Sequence, residues 1–171
     1  HLLQQIRSQL TTRGIVSFPE LLTRTEKLLR NDDVCATVRE QIELLLVDEF
    51  QDTDPLQYEI VGRLALSGDP RPSLFLVGDP KQSIYGWRQA DLGAYERFLQ
   101  QMEATPMQLS VNFRSVPPIL AEVQRVMADT MTHVPGLQPA FQPLEACEER
   151  SQSAPFTAGA RRPVESWVSW G

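Results

Sequence analysis

Several features are scarce in this 171-residue sequence, and each scarcity excludes a class of protein. The only two cysteines, Cys35 and Cys147, are far apart, so they form neither a metal-ligand spacing nor a disulfide framework. No apolar run approaches the ~18–20 residues of a membrane helix. No basic segment precedes an apolar stretch, as it would in a secretory signal. From these absences we expect a protein of the reducing cytoplasm without membrane contact.

An excess of positive charge is also lacking. Sixteen Lys and Arg residues stand against 22 Asp and Glu residues, which gives a net charge of −6. This balance excludes a protein that coats nucleic acid by bulk charge, so any such contact must come from a local patch. Neither the start at His1 nor the end at Gly171 resembles a natural terminus, so we expect the chain to be a piece of a larger protein.

Short aliphatic runs alternate with helical stripes along most of the chain. Residues 44–47 (LLLV) and 74–77 (LFLV) are typical of parallel strands buried on both faces, and residues 107–111 are predicted to be a third such strand. Helical periodicity between these runs, in units of about 30 residues, predicts an α/β fold with a parallel, doubly wound sheet.

Local patterns predict where helices start and where regular structure ends. Ser17 and Glu20 have the spacing of a capping box, and Asp54 and Asp91 are predicted N-caps. After residue 131 prolines recur without a helical stripe, which predicts a loop-rich C-terminal segment.

Polar clusters follow each predicted strand, at residues 48–52, 78–82 and 112–115. In open parallel sheets ligands bind beyond the carboxyl ends of the strands, so we expect the three clusters to converge on one site. Their acids, amide and arginine suit a polyphosphate with its metal ion.

The acid pair Asp48 and Glu49 directly follows the first predicted strand. On extended backbone the two side chains point to opposite sides, so one can hold Mg²⁺ while the other faces a water molecule. Gln82 and Arg114 follow the next two strands, and an arginine there can neutralise charge on a transferred phosphoryl group. The alternatives are solvated loop acids and a surface salt bridge.

Aromatic side chains near these clusters suggest stacking. Phe113 can stack on a nucleobase, although a core position is the commoner fate of a phenylalanine. Tyr85, Trp87 and Arg88 combine aromatic rings with a cation, which suits single-stranded nucleic acid. The alternative for this group is packing under a loop.

Three segments together resemble the UvrD/Rep-type superfamily-one DNA helicases. Residues 46–57 (LVDEFQDTDPLQ) resemble motif II, residues 77–91 (VGDPKQSIYGWRQAD) motif III and residues 109–115 (LSVNFRS) motif IV. The resemblance runs from Ser17 to about Met131. The forms DPKQ and DTDP are similar to those of the RecB-like exonuclease/helicase branch.

The resemblance implies a partial P-loop NTPase fold, in which a RecA-like parallel sheet is flanked by helices. Residues 1–43 would then be the helical end of an inserted subdomain, and residues 44–131 a partial RecA-like ATPase core. Residues 132–171 would be the loop-rich connection toward the next subdomain.

The resemblance also implies ATP and Mg²⁺ as cofactors. Asp48 would ligate Mg²⁺, and Glu49 would be the general base for water attack on the γ-phosphate. Gln82 would sense the γ-phosphate, Arg114 would contact it, and Phe113 would stack on adenine.

The implied activity is 3′-to-5′ translocation on DNA during repair and recombination. Tyr85 and Trp87 would stack on single-stranded DNA bases, and Arg88 would steady the strand. The implied partners are single- and double-stranded DNA, the remainder of the helicase chain, and other subunits of a helicase–nuclease complex, without a membrane.

Two alternatives to the helicase interpretation stay open. The sequence has no Gly-rich loop ending in Gly-Lys-Ser or Gly-Lys-Thr. Without that phosphate-binding loop we expect the 171-residue chain alone to be inactive as an ATPase. The first alternative is a Mg²⁺-dependent DNA nuclease, since Asp79-Pro80-Lys81 has an acid-x-Lys pattern. The second is a non-catalytic, DNA-binding remnant.

Overall fold

The computed structural model describes residues 2–86, 90–102 and 106–152. The chain divides into two compact units, residues 1–104 and residues 105–171, and each is described by itself. The division predicted from the resemblance, after residues 43 and 131, is a different one and stays a prediction. Within the described ranges, none of the helices combines the length and the apolar character needed to span a bilayer.

The first unit contains five helices and two strands within its described residues. In chain order these are α1 (Leu2–Thr12), α2 (Phe18–Leu29), α3 (Asp32–Glu40), β1 (Leu44–Val47), α4 (Pro55–Ala65), β2 (Ser73–Leu76) and α5 (Leu92–Gln101). Two short 3-10 turns, Phe50–Asp52 and Pro80–Gln82, follow the strands.

Two of the predicted helix starts carry the predicted caps, and one does not. The Asp54 carboxylate accepts from the backbone N–H of Gln57 at the start of α4, and Asp91 caps α5. Ser17 precedes α2, but its side chain makes no capping hydrogen bond. The predicted capping box is wrong because Glu20 instead pairs with Arg24, one turn along, at 2.6 Å.

Strands β1 and β2 pair in parallel, with α4 between them in sequence, so they form a β-α-β unit. The parallel pairing is as predicted. The prediction that both faces are buried is wrong for the described residues, because Leu44, Leu46 and Phe75 are 51%, 65% and 57% exposed. On the opposite face, Leu45 and Leu74 pack against the hydrophobic clusters formed by the helices.

Two hydrophobic clusters hold the helices on that covered face. One is aromatic and joins Phe50 to Tyr58 of α4 and Phe98 of α5, with ring centroids 5.0 and 5.1 Å from that of Phe50. The other joins α2, α3 and α4 through Leu29, Cys35 and Leu64. Phe50 directly follows Glu49, so the aromatic cluster anchors the segment in which the candidate site lies.

The second unit contains β3 (Val111–Asn112), α6 (Pro117–Met127), β4 (Glu145–Ala146) and α7 (Glu148–Gln152). Strand β3 pairs in parallel with β4 of the same unit. That β3 belongs to one sheet with β1 and β2 stays a prediction. Of the predicted strand at residues 107–111 only Val111 is in a strand, and Met107 and Leu109 before it are 90% and 82% exposed. Strand β4 lies where the sequence predicted a loop.

Candidate functional site

The carboxyl ends of β1 and β2 meet at one edge of their sheet. Val47 and Leu76 are register partners, and the ladder continues past them through the backbone N–H of Val77, which donates to Val47 O at 2.9 Å. Phe50 N–H then donates to Val77 O at 3.0 Å. The segments that follow the two strands therefore lie side by side, and the structure brings together the first two of the predicted clusters.

Glu49 has an unusual backbone conformation. Its φ and ψ are 50° and 40°, in the left-handed region that a residue with a side chain rarely adopts. Such a conformation costs a non-glycine residue about 1–2 kcal/mol and persists only where neighbouring contacts enforce it. Two such contacts are the Asp48 carboxylate, which accepts from Glu49 N–H at 2.8 Å, and Asp52 N–H, which donates to Glu49 O at 2.9 Å.

Gln51 is the residue that sequence reasoning missed. Its side chain is 1% exposed and links both strand-end segments. The amide nitrogen donates to Glu49 Oε2 at 2.8 Å, and the amide oxygen accepts from Asp79 N–H at 2.9 Å. A glutamine inside a 3-10 turn gives no periodic signal of burial, so only the three-dimensional structure identifies it.

Gly78 makes this close approach possible. A Cβ atom at Gly78 would lie 2.8 Å from Gln51 Oε1 and 3.2 Å from Phe50 N. Real Cβ atoms essentially never lie within 3.0 Å of such an atom, so a side chain at Gly78 would displace the Gln51 amide. Ser83 adds a further link, since its hydroxyl donates to Gln51 O at 3.2 Å.

Asp79 organises the turn that carries Gln82. Its carboxylate forms an ion pair with Lys81 Nζ at 2.9 Å and accepts from Gln82 Nε2 at 3.0 Å. Burial by itself raises the pKa of Asp79, but the hydrogen bonds from Gln82 and Lys81 outweigh it and hold the pKa below its ordinary value. Gln82 is exposed and is held beside Asp79.

The same contacts bear on the nuclease alternative. That interpretation needs Asp79 to ligate a metal ion, whereas both of its carboxylate oxygens already have protein partners. Within the described residues there is no group of three or more His, Cys, Asp or Glu side chains that could hold a metal ion. The nuclease alternative stays a prediction.

Asp48 has the chemistry that a nucleotide-bound Mg²⁺ requires. Mg²⁺ at phosphates takes one or two protein carboxylates and keeps several waters, so it does not need a larger cluster. Asp48 is exposed at the strand end, and only its Oδ1 is used in the hydrogen bonds given by the described residues. Its second oxygen can therefore serve a hydrated ion.

Asp52 is a second carboxylate close to Glu49. Burial and the nearby charge of Glu49 raise the pKa of Asp52, and the hydrogen bond from Gln51 only partly opposes this. Its buried Oδ1 has no hydrogen-bond partner among the described residues. The Gln51 amide nitrogen lies between the two acids, 2.8 Å from Glu49 Oε2 and 3.5 Å from Asp52 Oδ2.

Phe113 and Arg114 belong to the second unit, in the turn between β3 and α6. The Asn112 side chain fixes this turn, because its Oδ1 accepts from Arg114 N–H at 2.9 Å and from Ser115 N–H at 2.6 Å. Phe113 is 71% exposed, so the alternative of a core phenylalanine is wrong for the described part of the chain. Arg114 is exposed as well.

The structure brings some of the predicted site residues together and does not do so for others. Asp48, Glu49 and Gln82 share one edge of the first unit, whereas the convergence of Phe113 and Arg114 with them stays a prediction. Tyr85 is half-buried in the first unit, where its carbonyl accepts from Ala90 N–H. Trp87 and Arg88 lie outside the described residues.

Comparisons with known proteins agree with the motifs. Residues 1–103 match the family model of the UvrD/REP helicase N-terminal domain. The RecBCD enzyme subunit RecB of Chlamydia trachomatis is 40% identical over 134 residues, which are 74% of this chain and 13% of that relative.

Two further relatives carry the same names or related ones. RecB of Escherichia coli is 36% identical over 121 residues, 69% of this chain and 10% of the relative. DNA helicase II of Haemophilus influenzae is 35% identical over 117 residues, 68% of this chain and 16% of the relative. The chain therefore spans only a small part of the length of these curated relatives.

Proposed function

The chain belongs to the UvrD/REP helicase family, and from that premise we propose that it forms one half of the ATP site of a longer, ATP-dependent DNA helicase. The single observation that carries this proposal is the junction of the two strand ends, where Glu49 is held in a left-handed conformation beside Asp48 and the Gln82 turn. Strained backbone next to carboxylates at the end of parallel strands is typical of a functional site.

Glu49 is the general base in this proposal. It accepts a proton from a water molecule as the water oxygen bonds to the γ-phosphorus of ATP. The bond from that phosphorus to the bridging oxygen breaks, and ADP leaves with the bond's electron pair. Asp48 would hold Mg²⁺, which when bound neutralises charge on the β- and γ-phosphates.

Three other residues complete the proposed site. Gln82 contacts the γ-phosphate and reports its presence to the DNA-binding surface, and Arg114 neutralises charge on the transferred phosphoryl group. Phe113 stacks on adenine, which agrees with its exposed ring. In this proposal the RecA-like fold is completed by chain beyond these 171 residues, which also supplies the phosphate-binding loop.

The proposed work of the helicase is 3′-to-5′ movement along single-stranded DNA in repair and recombination. Tyr85 and Trp87 stack on bases and Arg88 steadies the strand, an arrangement that tolerates any base sequence. The relatives named RecBCD enzyme subunit RecB favour the RecB-like branch and a complex with other subunits.

The experiment that tests this function replaces Glu49 with Gln in the longer protein. ATP hydrolysis stimulated by single-stranded DNA should fall about 10²–10⁴-fold, the usual contribution of a general base. ATP binding, measured by calorimetry, should stay the same because the amide keeps the shape of the side chain. The 171-residue chain alone serves as the companion sample and should show negligible turnover. Retained hydrolysis by Glu49→Gln would contradict the role of Glu49.

A further inference from the structure

The geometry points to Gln51 as a positioning residue, which holds the Glu49 carboxylate in place and ties it to the turn that carries Gln82. This inference rests on the proposed function, in which Glu49 accepts a proton from water. Gln51 itself touches neither ATP nor the reacting atoms in this scheme. It acts through Glu49.

The two ends of the Gln51 amide have different partners. The nitrogen donates to Glu49 Oε2 at 2.8 Å, and the oxygen accepts from the backbone N–H of Asp79 at 2.9 Å. An uncharged amide can donate at its nitrogen and accept at its oxygen at the same time. Gln51 therefore connects the base directly to the backbone of the neighbouring turn, without any intervening water.

Burial makes this connection rigid. Gln51 is 1% exposed, and its backbone carbonyl oxygen accepts a hydrogen bond from the Ser83 hydroxyl at 3.2 Å. A buried amide that lost either partner would be left with an unsatisfied polar group, which opposes rotation away from Glu49. Glu49, by contrast, is exposed and would otherwise be free to change rotamer.

The connection continues beyond Asp79 to Gln82. Asp79 donates its N–H to Gln51 and accepts from Gln82 Nε2 at 3.0 Å, so a short chain of hydrogen bonds runs from Gln82 through Asp79 and Gln51 to Glu49. Movement of Gln82 when a γ-phosphate arrives or leaves would therefore be transmitted to the base. The structure supplies the physical link for coupling between these two residues.

Two substitutions break the link without altering Glu49. Gln51→Leu removes both hydrogen bonds, and Gly78→Ala places a Cβ 2.8 Å from Gln51 Oε1 and so displaces the amide. In the longer helicase each should lower kcat for ATP hydrolysis about tenfold to a hundredfold, as a misplaced catalytic group does. KM for ATP should stay within about twofold because ground-state binding is untouched.

Matched controls separate positioning from loss of structure. Gln57→Leu makes the same change at a glutamine that caps α4, where Gln57 Oε1 accepts from Asp54 N–H at 3.0 Å. Gly62→Ala adds a Cβ that meets only Phe98 Cε2, at 3.5 Å. Both controls should leave kcat and KM unchanged.

A double substitution provides the decisive comparison. Adding Gln51→Leu to Glu49→Gln should lower kcat no further, because the group that Gln51 positions has already lost its function. A further loss equal to that seen in the wild-type background would overturn the inference, as would unchanged kcat in Gln51→Leu. Full turnover by Glu49→Gln alone would overturn the proposed function and the inference with it, so the two failures are distinguishable.

Discussion

The candidate residues that follow the two parallel strand pairs are held in different ways. After β1 and β2, the side chains of Glu49 and Gln82 are held by protein hydrogen bonds to Gln51 and Asp79. After β3, the Asn112 side chain fixes only backbone, and the side chains of Phe113 and Arg114 are exposed. In the first region the candidate side chains are therefore held by protein contacts, whereas in the second region they are exposed.

The difference follows from how much chain packs behind each pair. Strands β1 and β2 share a four-residue ladder, and the aromatic cluster around Phe50 lies directly beneath the first strand end. Strands β3 and β4 share only a two-residue ladder. A group that transfers a proton needs a fixed position, whereas a group that binds a phosphate or a base can move into contact when the ligand binds.

The largest expected effect comes from the exposed region. In the longer helicase, Arg114→Ala should lower ATP turnover at least about 10³-fold, because the arginine is proposed to neutralise charge in the transition state. The same substitution in the 171-residue chain should change the free energy of unfolding by less than about 0.5 kcal/mol, since the side chain is exposed. ATPase assays and urea unfolding followed by circular dichroism measure the two effects. A large loss of stability with intact turnover would reverse the comparison.

The next largest effect is on the free energy of unfolding, when the same substitution is made at two phenylalanines. Phe50→Ala should cost about 3–5 kcal/mol in the free energy of unfolding, because the ring is 1% exposed and packs against three other aromatic rings. Phe113→Ala should cost less than about 0.5 kcal/mol. Phe50→Leu serves as the milder variant should Phe50→Ala fail to fold. Equal costs at Phe50 and Phe113 would remove the contrast between the two regions.

The sequence was informative where a local pattern has a single physical cause. Helix caps such as Asp54 and the parallel pairing of residues 44–47 with the next run follow from residue type and spacing. The position of the first two polar clusters followed from the rule that strand ends meet at one edge. These features depend on contacts close in sequence or on regular geometry.

Other features were beyond the sequence because they depend on distant contacts. Glu49 gave no sign of its left-handed backbone, since glutamate has no preference for it. Gln51 reads as one more polar residue of a loop, yet it is buried because Asp79 and Glu49 approach from two sides. The two-residue pairing of Val111 with Glu145 leaves no pattern that a sequence can reveal.

A third prediction tests the left-handed conformation of Glu49. Both Glu49→Gly and Glu49→Ala remove the carboxylate, but glycine adopts positive φ at no steric cost. The glycine variant should therefore be more stable than the alanine variant by about 1 kcal/mol. At Glu59 in the middle of α4, the same pair should show the opposite order by about 1 kcal/mol. The alanine variant being the more stable one at both positions would exclude the observed φ at Glu49.

The smallest expected effect is on the pH dependence of the free energy of unfolding, to which two acids contribute with opposite sign. The pKa of Asp79 is lowered, so its contribution to stability is present above its ordinary pKa and is lost as the pH falls. The pKa of Asp52 is raised, so its contribution is present at low pH and is lost as the pH rises. Asp79→Asn should therefore weaken the loss of stability on acidification. Asp52→Asn should gain stability relative to the wild type as the pH rises.

Urea unfolding of the wild type and the two variants, between about pH 3 and 6, measures these slopes. Changes of the same sign in both variants would show that Asp52 and Asp79 do not have the different surroundings described above.

We propose that the region after β1 and β2 and the region after β3 bind one nucleotide. A crystal structure of the longer helicase with Mg²⁺, ADP and a fluoroaluminate that mimics the transferred phosphoryl group would show both regions at once. We predict that Gln82 and Arg114 donate hydrogen bonds to the fluoroaluminate, while Glu49, still held by Gln51, accepts one from the attacking water. Arg114 on a surface remote from the nucleotide, or Glu49 turned away from that water, would show that the two regions do not form one site.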